Sequence, residues 1–494
     1  MTTDRRTLLG AGLCMTAAFA SRAGLAAMPA QAQGCEWPAA SGELRHYACD
    51  WIPAAAALGG NVEDRAAASR DFGNIVQKQP RAVVKPASAA DISAVLRAAG
   101  KSEQKVAARG QGHSTYGRAL AEDGVVIEMN SLDTIHEIGA DRIVVDAGAT
   151  WARVLDATLA KGLTPPVLTN YLGLSVGGTI AVGGIGGSTS RHGMQTDNVL
   201  ALDVVTGSGE QLTCSRQSNP DLFDAVRAGL SQCGLITRAT LKLVSAPKRV
   251  RRYQVFYPDL ASLATVQRRA LQDDRFDQLQ GAILPDGKSG WRYQLEGALF
   301  YDAASPPDDN AVFAALSANR ETSVTTDLSF HDDALAFAKL EALLRSKGLW
   351  SSPHPWLFSF LPNVNAEEVT EEILGHLSAE EIGPLGRVTF YPLRHVSGTP
   401  LVRWPNGGVA FCVNVVHIQP FPDAPSVKQA LAKNRLLYDR IRRAGGVQYP
   451  VSALPMTPQD WEQHFGPAWS MLSEARRRYD PLGLLTPGYN LFGS

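Results

Sequence analysis

The sequence predicts an α+β fold in which short strands and helices alternate around two glycine-rich segments. The chain has 494 residues, of which 45% are hydrophobic and 19% are charged, enough for a sizeable core and for two domains. One glycine-rich segment follows a strand that ends near residue 108, and the other spans residues 173–193. The net charge of −1 gives no electrostatic reason to expect a nucleic acid as partner.

Regular elements are predicted most clearly in the first half of the chain. Ser88 and Asp91 form a capping-box pattern at the start of an amphipathic helix. A second helix is predicted over residues 150–161, with Gly162 at its C-terminal end. We expect an extended segment over residues 80–86 and strands over residues 105–108, 125–129, 143–146, 202–206 and 238–244.

The first glycine-rich segment carries a histidine. It reads Arg109-Gly110-Gln111-Gly112, followed by His113. Glycines allow positive φ and close approach of a ligand, and successive turn N–H groups form a nest for anions such as a pyrophosphate. A histidine at the end of such a nest is placed to contact the ring system of the ligand whose phosphates the nest binds. Taken alone, the pattern is weak, because a hairpin turn with a solvated histidine also accounts for it.

The second glycine-rich segment contains three glycine pairs with apolar residues between them. Flexible linkers lack such interleaved residues, here Val176, Ile180, Val182 and Ile185. The spacing is neither the Gly-x-Gly-x-x-Gly fingerprint nor a Walker motif. The pattern favours buried backbone that packs against a large ligand.

Together these segments resemble the cytokinin dehydrogenases, which are FAD-linked oxidases of the vanillyl-alcohol-oxidase type. The resemblance covers nearly the whole chain after residue 32. The motifs that carry it, in the family's order, are Gly112-His113-Ser114, Trp151, residues 163–172 (Leu-Thr-Pro-Pro-Val-Leu-Thr-Asn-Tyr-Leu), Arg191-His192-Gly193, residues 202–207, Cys214, Asn219, Leu222-Phe223, residues 234–238, His464-Phe465-Gly466, Trp469, Tyr479-Asp480-Pro481 and residues 485–488.

The resemblance implies a two-part FAD-binding domain of the PCMH type and an α/β substrate domain whose sheet caps the flavin. Pro247 marks the boundary. We expect the FAD domain over residues 60–246, the substrate domain over 247–440, and a segment over 441–494 that returns to the FAD domain.

The resemblance also implies that FAD is bonded covalently to His113 through the flavin 8α-methyl group. Residues 168–175 contain no cysteine for a second tether. The C-terminal members of the implied cofactor site have an alternative interpretation, a surface helix with a frayed tail. The implied cofactor-binding residues are Gly110, Gln111, Gly112, His113, Ser114, Arg118, Asn170, Ser175, Ala181, Ile185, Ile236, Tyr449, Thr486 and Tyr489.

Four positions depart from the family pattern. Asn170 stands where the family has the aspartate that accepts the substrate proton. Gln280 stands where the family has a second carboxylate. We expect both at the catalytic position, although an amide is not a base at neutral pH. Arg118 and Arg394 replace neutral residues, and we place Arg394 at the substrate.

These departures predict a pocket that is retuned for another donor. If all four positions line one cavity, its charge rises by about four units, which favours a carboxylate or a phenolate. Two alternatives remain. The chain is a paralogue that kept only the cofactor scaffold, or Arg118 pairs with the pyrophosphate and Arg394 with a surface acid, so that the cavity is neutral.

We therefore expect an FAD-dependent oxidase or dehydrogenase that takes a hydride from a C–N or C–O bond of a small organic donor. Electrons would pass to oxygen or another acceptor. One alternative is a cytokinin dehydrogenase proper, which uses Asn170 through a water. Another is a flavin-carrying protein without turnover.

The N-terminus predicts export. Residues 3–9 read Thr-Asp-Arg-Arg-Thr-Leu-Leu, a twin-arginine pattern, and Ala30-Gln31-Ala32 is a small-x-small cleavage site. We expect residues 1–32 to be a signal peptide and the mature protein to be periplasmic or secreted. A frayed basic terminus is the alternative. Ser21-Arg22 interrupts the apolar run, so no membrane span is expected.

Cysteine usage points to no metal. Cys35 and Cys49 are close enough in sequence to pair in an oxidising compartment. We expect Cys214, Cys233 and Cys412 to be buried thiols, because they stand in apolar segments.

Overall fold

The computed structural model describes residues 35–38, 44–47 and 62–493, except residues 303, 319, 397 and 422. The chain divides into two compact units, Met1–Trp51 and Ile52–Ser494. In the first unit, strands β1 (Cys35–Pro38) and β2 (Leu44–Tyr47) pair antiparallel. The predicted signal peptide and the side chains of Cys35 and Cys49 lie outside the described residues.

The second unit begins with a small parallel sheet. Its strands are β3 (Ala82–Val84), β4 (Val106–Arg109) and β5 (Val125–Glu128). The helices of this region are α1 (Val62–Ala68), before β3, and α2 (Ala89–Ser102), between β3 and β4. β5 lies in the middle and runs parallel to both neighbours. The predicted capping box is confirmed, since Ser88 and Asp91 bond each other's backbone N–H at the start of α2. β4 ends at Arg109, so the first glycine-rich segment begins directly at the end of this strand.

A five-stranded antiparallel sheet follows, in the order β10-β9-β11-β7-β6. Its strands are β6 (Ile135–Ile138), β7 (Arg142–Asp146), β9 (Val199–Thr206), β10 (Gln211–Ser215) and β11 (Gly234–Lys242), while β8 (Leu163–Thr164) pairs with β12 (Val244–Ser245). Its helices are α3 (Trp151–Leu159), α4 (Val176–Ile180), α5 (Thr189–His192) and α6 (Pro220–Val226). The second predicted helix is confirmed as α3, which Thr150 caps through Arg153 N.

The third sheet has eight antiparallel strands in the order β16-β13-β15-β14-β18-β19-β17-β20. The strands are β13 (Arg249–Tyr257), β14 (Gln278–Pro285), β15 (Trp291–Tyr301), β16 (Val324–Ser329), β17 (Leu357–Pro362), β18 (Arg387–Arg394), β19 (Val409–Val416) and β20 (Val447–Gln448). The helices between them are α7 (Leu260–Gln272), α8 (Asp309–Ala315), α9 (Phe330–Ala334), α10 (Phe337–Ser346), α11 (Ala366–Gly375), α12 (Ala379–Ile382) and α13 (Ala424–Arg443).

The two faces of this large sheet differ. Side chains alternate between faces along a strand, so Phe390 and Phe411 lie on the opposite face from Tyr391 and Cys412. The phenylalanine face packs on helices in one apolar core. The other face, with Tyr391 and Cys412, packs against Ile185 of the second glycine-rich segment. The large sheet therefore covers that segment.

The C-terminal part contributes to two sheets. β20 pairs with β17, whereas Leu485 pairs with Val106 at the start of β4. Between them lie α14 (Pro458–Phe465) and α15 (Trp469–Tyr479). The Asp480 carboxylate accepts bonds from the N–H groups of residues 484 and 485, which fixes the return to β4.

The three cysteines of this unit, Cys214, Cys233 and Cys412, are buried free thiols, which confirms that prediction. Among the described helices, none combines the length and the apolarity that a membrane crossing requires.

Candidate active site

The first glycine-rich segment forms a tight turn after β4. Gly112 adopts φ +67°, and a Cβ there would lie 2.3 Å from the Arg109 guanidinium. Arg109 is itself fixed by an ion pair to Glu128, with Nη1 2.9 Å from Oε1. A Cβ at Gly110 would lie 2.2 Å from Ser175 Oγ. The positive φ favours glycine at Gly112, and a side chain at either position would displace a neighbouring side chain.

A loop after β7 joins the turn to the start of α4. Gln111 Nε2 donates to Gly148 O at 3.4 Å. The N–H groups of Val176 and Gly177 donate to the carbonyls of residues 149 and 147 at 2.9 and 2.8 Å. The predicted residues Gln111 and Ser175 therefore lie on the same side of this loop, although the chain separates them widely.

The second glycine-rich segment is held against the C-terminal part. Gly183 and Gly184 have φ of +125° and +76°. Gly184 N donates to Tyr449 Oη at 2.9 Å. A Cβ at Gly186 would lie 1.9 Å from Leu168 O, so the backbones are in direct contact there. The predicted burial of this backbone is confirmed.

A strained loop, which the sequence does not reveal, borders the site. Ala228, Leu230 and Ser231 all have φ near +55°, a conformation that non-glycine residues rarely adopt. Leu230 N donates to Ala181 O at 2.9 Å, and Ser231 O accepts from Thr486 Oγ1 at 3.1 Å. This loop connects the second glycine-rich segment to the C-terminus. No residue-type signal marks it, because none of the three is a glycine.

The C-terminal residues predicted at the cofactor converge on the same region. Thr486 has φ +48°, and its carbonyl also accepts from Gln232 Nε2 at 3.2 Å. Tyr489 Oη lies 3.5 Å from Pro450 O, next to Tyr449 in sequence. Thr486, Tyr489 and Tyr449 are all buried, as are Ala181 and Ile236. The alternative interpretation, a surface helix with a frayed tail, does not describe this segment.

Arg118 is buried among groups of the C-terminal part. Its Nη2 donates to Leu454 O at 2.9 Å and its Nη1 to Gly488 O at 3.4 Å. The guanidinium also lies 4.9 Å from the centre of the Tyr489 ring and 5.4 Å from that of Trp461. Burial lowers the pKa of Arg118, and among the described residues no carboxylate pairs with it. Its Nε has no partner within the described chain.

Aromatic rings surround His113. The nearest is Phe72, with ring centroids 3.8 Å apart, followed by Tyr171 at 5.0 Å and Trp350 at 5.6 Å. Burial lowers the pKa of His113 to about 3, so its imidazole is neutral at physiological pH. His354, which packs on Phe72, is neutral for the same reason, with a pKa of about 4. Sequence reasoning missed this ring cluster, because its members come from distant segments.

Asn170 and Gln280 have different surroundings. Asn170 is exposed beside Tyr171, whose hydroxyl interacts with Glu341 and Arg345 on α10. Gln280 is half-buried on β14, and its side chain bonds the Tyr391 hydroxyl.

Backbone contacts place β14 against the second glycine-rich segment. Leu279 N donates to Gly187 O at 3.4 Å, and a Cβ at Gly187 would lie 2.9 Å from Gln278 Cβ. The Gln280 position therefore lies at the seam between the large sheet and the glycine-rich backbone.

Arg394 is paired away from this seam. Its guanidinium forms an ion pair with Asp274 and donates to Leu271 O and Gln272 O at the C-terminal end of α7. These partners satisfy its charge, so we give Arg394 no role in donor binding.

The residues present fit FAD. The first turn offers backbone N–H groups to a diphosphate, and the second glycine-rich segment offers bare backbone to a flat ring. His113 stands at the end of the first turn, and Arg118 keeps one buried N–H without a partner. No group of three or more potential metal ligands exists within the described ranges.

A parallel and an antiparallel sheet with a glycine cradle, covered by a large sheet, fit an FAD-linked oxidoreductase. Two family models match: the FAD binding domain over residues 80–215, and the FAD and cytokinin binding domain of cytokinin dehydrogenase 1 over residues 261–492. The chain belongs to the cytokinin dehydrogenase-like family of FAD-linked oxidoreductases.

Individual relatives agree. An uncharacterized oxidoreductase of the fasciation locus of Rhodococcoides fascians is 40% identical over 86% of this chain and 96% of its own length. Cytokinin dehydrogenase 6 of Oryza sativa subsp. japonica is 35% identical, over 87% and 90% of the two chains. Cytokinin dehydrogenase 2 of Arabidopsis thaliana is 34% identical, over 86% and 91%.

Proposed function

We propose that this protein is an exported FAD-dependent oxidoreductase with FAD bonded covalently to His113. It takes a hydride from a C–N or C–O bond of a small organic donor, and oxygen or another acceptor then removes the electrons. The observation that carries the proposal is the position of His113, packed among aromatic rings at the end of a glycine turn.

His113 supplies a nitrogen lone pair for the covalent bond. A protonated imidazole has no free lone pair, and burial among rings keeps His113 unprotonated. Gly110 and Gly112 bring the backbone N–H groups close, while the Arg109–Glu128 ion pair holds the turn rigid. Bound FAD supplies the acceptor for the hydride.

The proton of the donor is not taken by a carboxylate at the two family positions. Asn170 and Gln280 are amides and do not accept a proton at neutral pH. Burial raises the pKa of Tyr391 well above its usual value and that of Cys412 to about 11, so neither is ionised. A donor whose proton leaves easily to solvent suits this arrangement, since Asn170 is exposed.

The two arginines do not supply the positive charge that the sequence predicts for the donor pocket. Arg394 is paired with Asp274, and Arg118 is bound by two carbonyls and aromatic faces. The two amides remain, and they leave the site without the negative charges at positions 170 and 280. Anionic donors are therefore not repelled there, but the cation that would attract them lies elsewhere.

A cytokinin dehydrogenase proper is the second candidate. It is supported by the family model named for cytokinin binding, which matches residues 261–492. In that case Asn170 would act through a bound water, and N6-alkyl adenines would be oxidised at the side-chain amine.

The deciding experiment is anaerobic bleaching of the purified flavoprotein by amines, alcohols, hydroxy acids and isopentenyladenine. We expect bleaching by a donor other than isopentenyladenine. Efficient bleaching by isopentenyladenine alone would instead establish the second candidate, and no bleaching by any donor would favour a flavin carrier without turnover.

A variant pair sharpens this test. Asn170→Asp with Gln280→Glu restores both carboxylates, and we expect it to slow bleaching by anionic donors and to speed bleaching by isopentenyladenine. Gln217→Glu, an exposed change of the same kind, serves as control. If the double variant matches the wild type with every donor, the two amides do not set donor choice.

A further inference from the structure

A cavity of about 540 Å³ lies in the connection between β18 and β19. Its lining comes from residues 395–407 and includes His395, Thr399, Arg403, Trp404 and Asn406. None of these residues belongs to the cofactor site described above. The question is which ligand chemistry this lining fits.

Hydrogen bonds hold the described residues of this connection at its base and near Thr399. His395 N donates to Gly408 O at 3.0 Å, which closes the loop at its base. Gly398 N and Thr399 Oγ1 both donate to Asp197 Oδ1 at 2.9 Å. The other oxygen of Asp197 accepts from a backbone N–H at 2.8 Å, so its charge is engaged by the loop and its neighbours.

Two hydrogen-bond donors on the lining have unused capacity. Arg403 is half-buried, and its Nε donates to His464 O at 3.3 Å, but no carboxylate in the described part of the chain lies within ion-pair distance of it. Trp404 is only 8% exposed, and its indole N–H has no partner among the described residues. Both residues line the cavity, and a guanidinium and an indole N–H are donors that suit an anion.

Contacts between aromatic rings connect the cavity to the cofactor region. The Trp404 ring stacks on Phe360 with centroids 4.7 Å apart, and Phe360 lies 5.8 Å from Tyr449. Tyr449 in turn accepts from Gly184 N of the glycine-rich segment. Trp404 is therefore shared between the cavity and the apolar cluster at the second glycine-rich segment.

We propose that this cavity binds the carboxylate of a small molecule, with Arg403 pairing its charge and the Trp404 N–H bonding one of its oxygens. The carboxylate is the anionic end of the electron donor. This second statement rests on the proposed function, whereas carboxylate binding does not. Arg403 thus takes the role that the sequence assigned to Arg394.

The test measures binding of benzoate and of its neutral analogue benzamide to the oxidised flavoprotein by calorimetry. We expect benzoate to bind at least about tenfold more tightly, because only the carboxylate can pair with the Arg403 charge. Arg403→Gln should remove this preference, Arg403→Lys should keep part of it, and Trp404→Phe should weaken benzoate while preserving the ring stack. Arg477→Gln, which neutralises an exposed arginine on α15, should change nothing.

Two results would overturn the proposal: equal binding of benzoate and benzamide, or benzoate binding that survives Arg403→Gln. Flavin absorbance and thermal midpoint of each variant show that it is folded. Bleaching separates the two proposals. If benzoate binding depends on Arg403 but no donor bleaches the flavin, the redox proposal fails and the carboxylate site stands. If carboxylate donors bleach Arg403→Gln as readily as wild type, the site is not the donor's.

Discussion

Two arginines flank His113 in sequence, and the molecule uses them differently. Arg109 has a carboxylate partner, Glu128, and its guanidinium packs against the backbone of the glycine turn at Gly112. Arg118 has carbonyl partners and ring faces instead. A buried guanidinium without a carboxylate is costly unless its N–H groups are bonded, so Arg118 should depend on residues 454 and 488 as much as they depend on it.

Arg118→Leu is expected to destabilise the protein by about 2–4 kcal/mol, because it leaves two buried carbonyls without donors. Urea unfolding followed by tryptophan fluorescence measures the change. Arg477→Leu, on an exposed side chain, should stay within about 0.5 kcal/mol of the wild type. Equal stability of both variants would mean that Arg118 contributes little.

His113→Ala is expected to abolish covalent flavin. Acid precipitation of the wild type should leave a yellow pellet, whereas the variant should leave a yellow supernatant or no flavin. His331→Ala, at an exposed histidine, should behave like the wild type. Release of the flavin from wild-type protein by acid would disprove the covalent bond.

At single residues, sequence reasoning reached the glycines and the free thiols but not the rings around His113. A glycine that must adopt φ +67°, such as Gly112, leaves a recognisable mark in the sequence. Phe72 and Trp350 leave none, because any core contains such residues, and only folding brings them within 6 Å of the imidazole. The partners of Arg118 and Arg394 are likewise set by tertiary contacts.

Among the elements, the start of α2 and the extent of α3 agree closely with the prediction, because the caps of both helices are local. Thr150 bonds a backbone N–H within the first turn of its own helix, as does Ser88. By contrast, β20 has two residues, and its pairing with β17 bridges about ninety positions of chain. No local pattern predicts such a strand.

The second glycine-rich segment tolerates no side chain at its tightest contact. Gly186→Ala would place a methyl group 1.9 Å from Leu168 O. We expect the variant to bind less flavin and to lose about 2 kcal/mol or more of stability. Gly375→Ala is the control, since nothing lies within 4 Å of a Cβ there. Flavin content per chain and the thermal midpoint report both effects.

The contact between α13 and α14 predicts a pH dependence. Arg435 pairs with Asp460 at 2.7 Å, and its guanidinium lowers the pKa of that carboxyl below its usual value. A lowered folded-state pKa stabilises the protein above the ordinary pKa of about 4. This stabilisation decreases as pH falls below that value.

Asp460→Asn keeps the acceptor that caps α14 but removes the charge. At pH 7 we expect the variant to be less stable than the wild type by about 1–2 kcal/mol, with a lower thermal midpoint. The difference in stability should be smaller at pH 3. Asp423→Asn, at the cap of α13, is the control, because Asp423 forms no ion pair among the described residues. A constant difference at both pH values would contradict the charge-based account.

On the scale of the whole molecule, the proposed export depends on residues outside the described part. Arg5→Lys with Arg6→Lys should trap the precursor in the cytoplasm, because the twin-arginine pair is the feature that this route reads. Cell fractionation and immunoblotting measure it. Unchanged export would indicate another route.

The return of residues 485–489 to β4 has a consequence for biosynthesis. Leu485 pairs with Val106, and Gly488 O accepts from Arg118, a bond that joins positions 370 residues apart in the chain. One wall of the cradle is therefore absent until residues 485–489 have been synthesised. The cradle closes around its cofactor only after that point in synthesis.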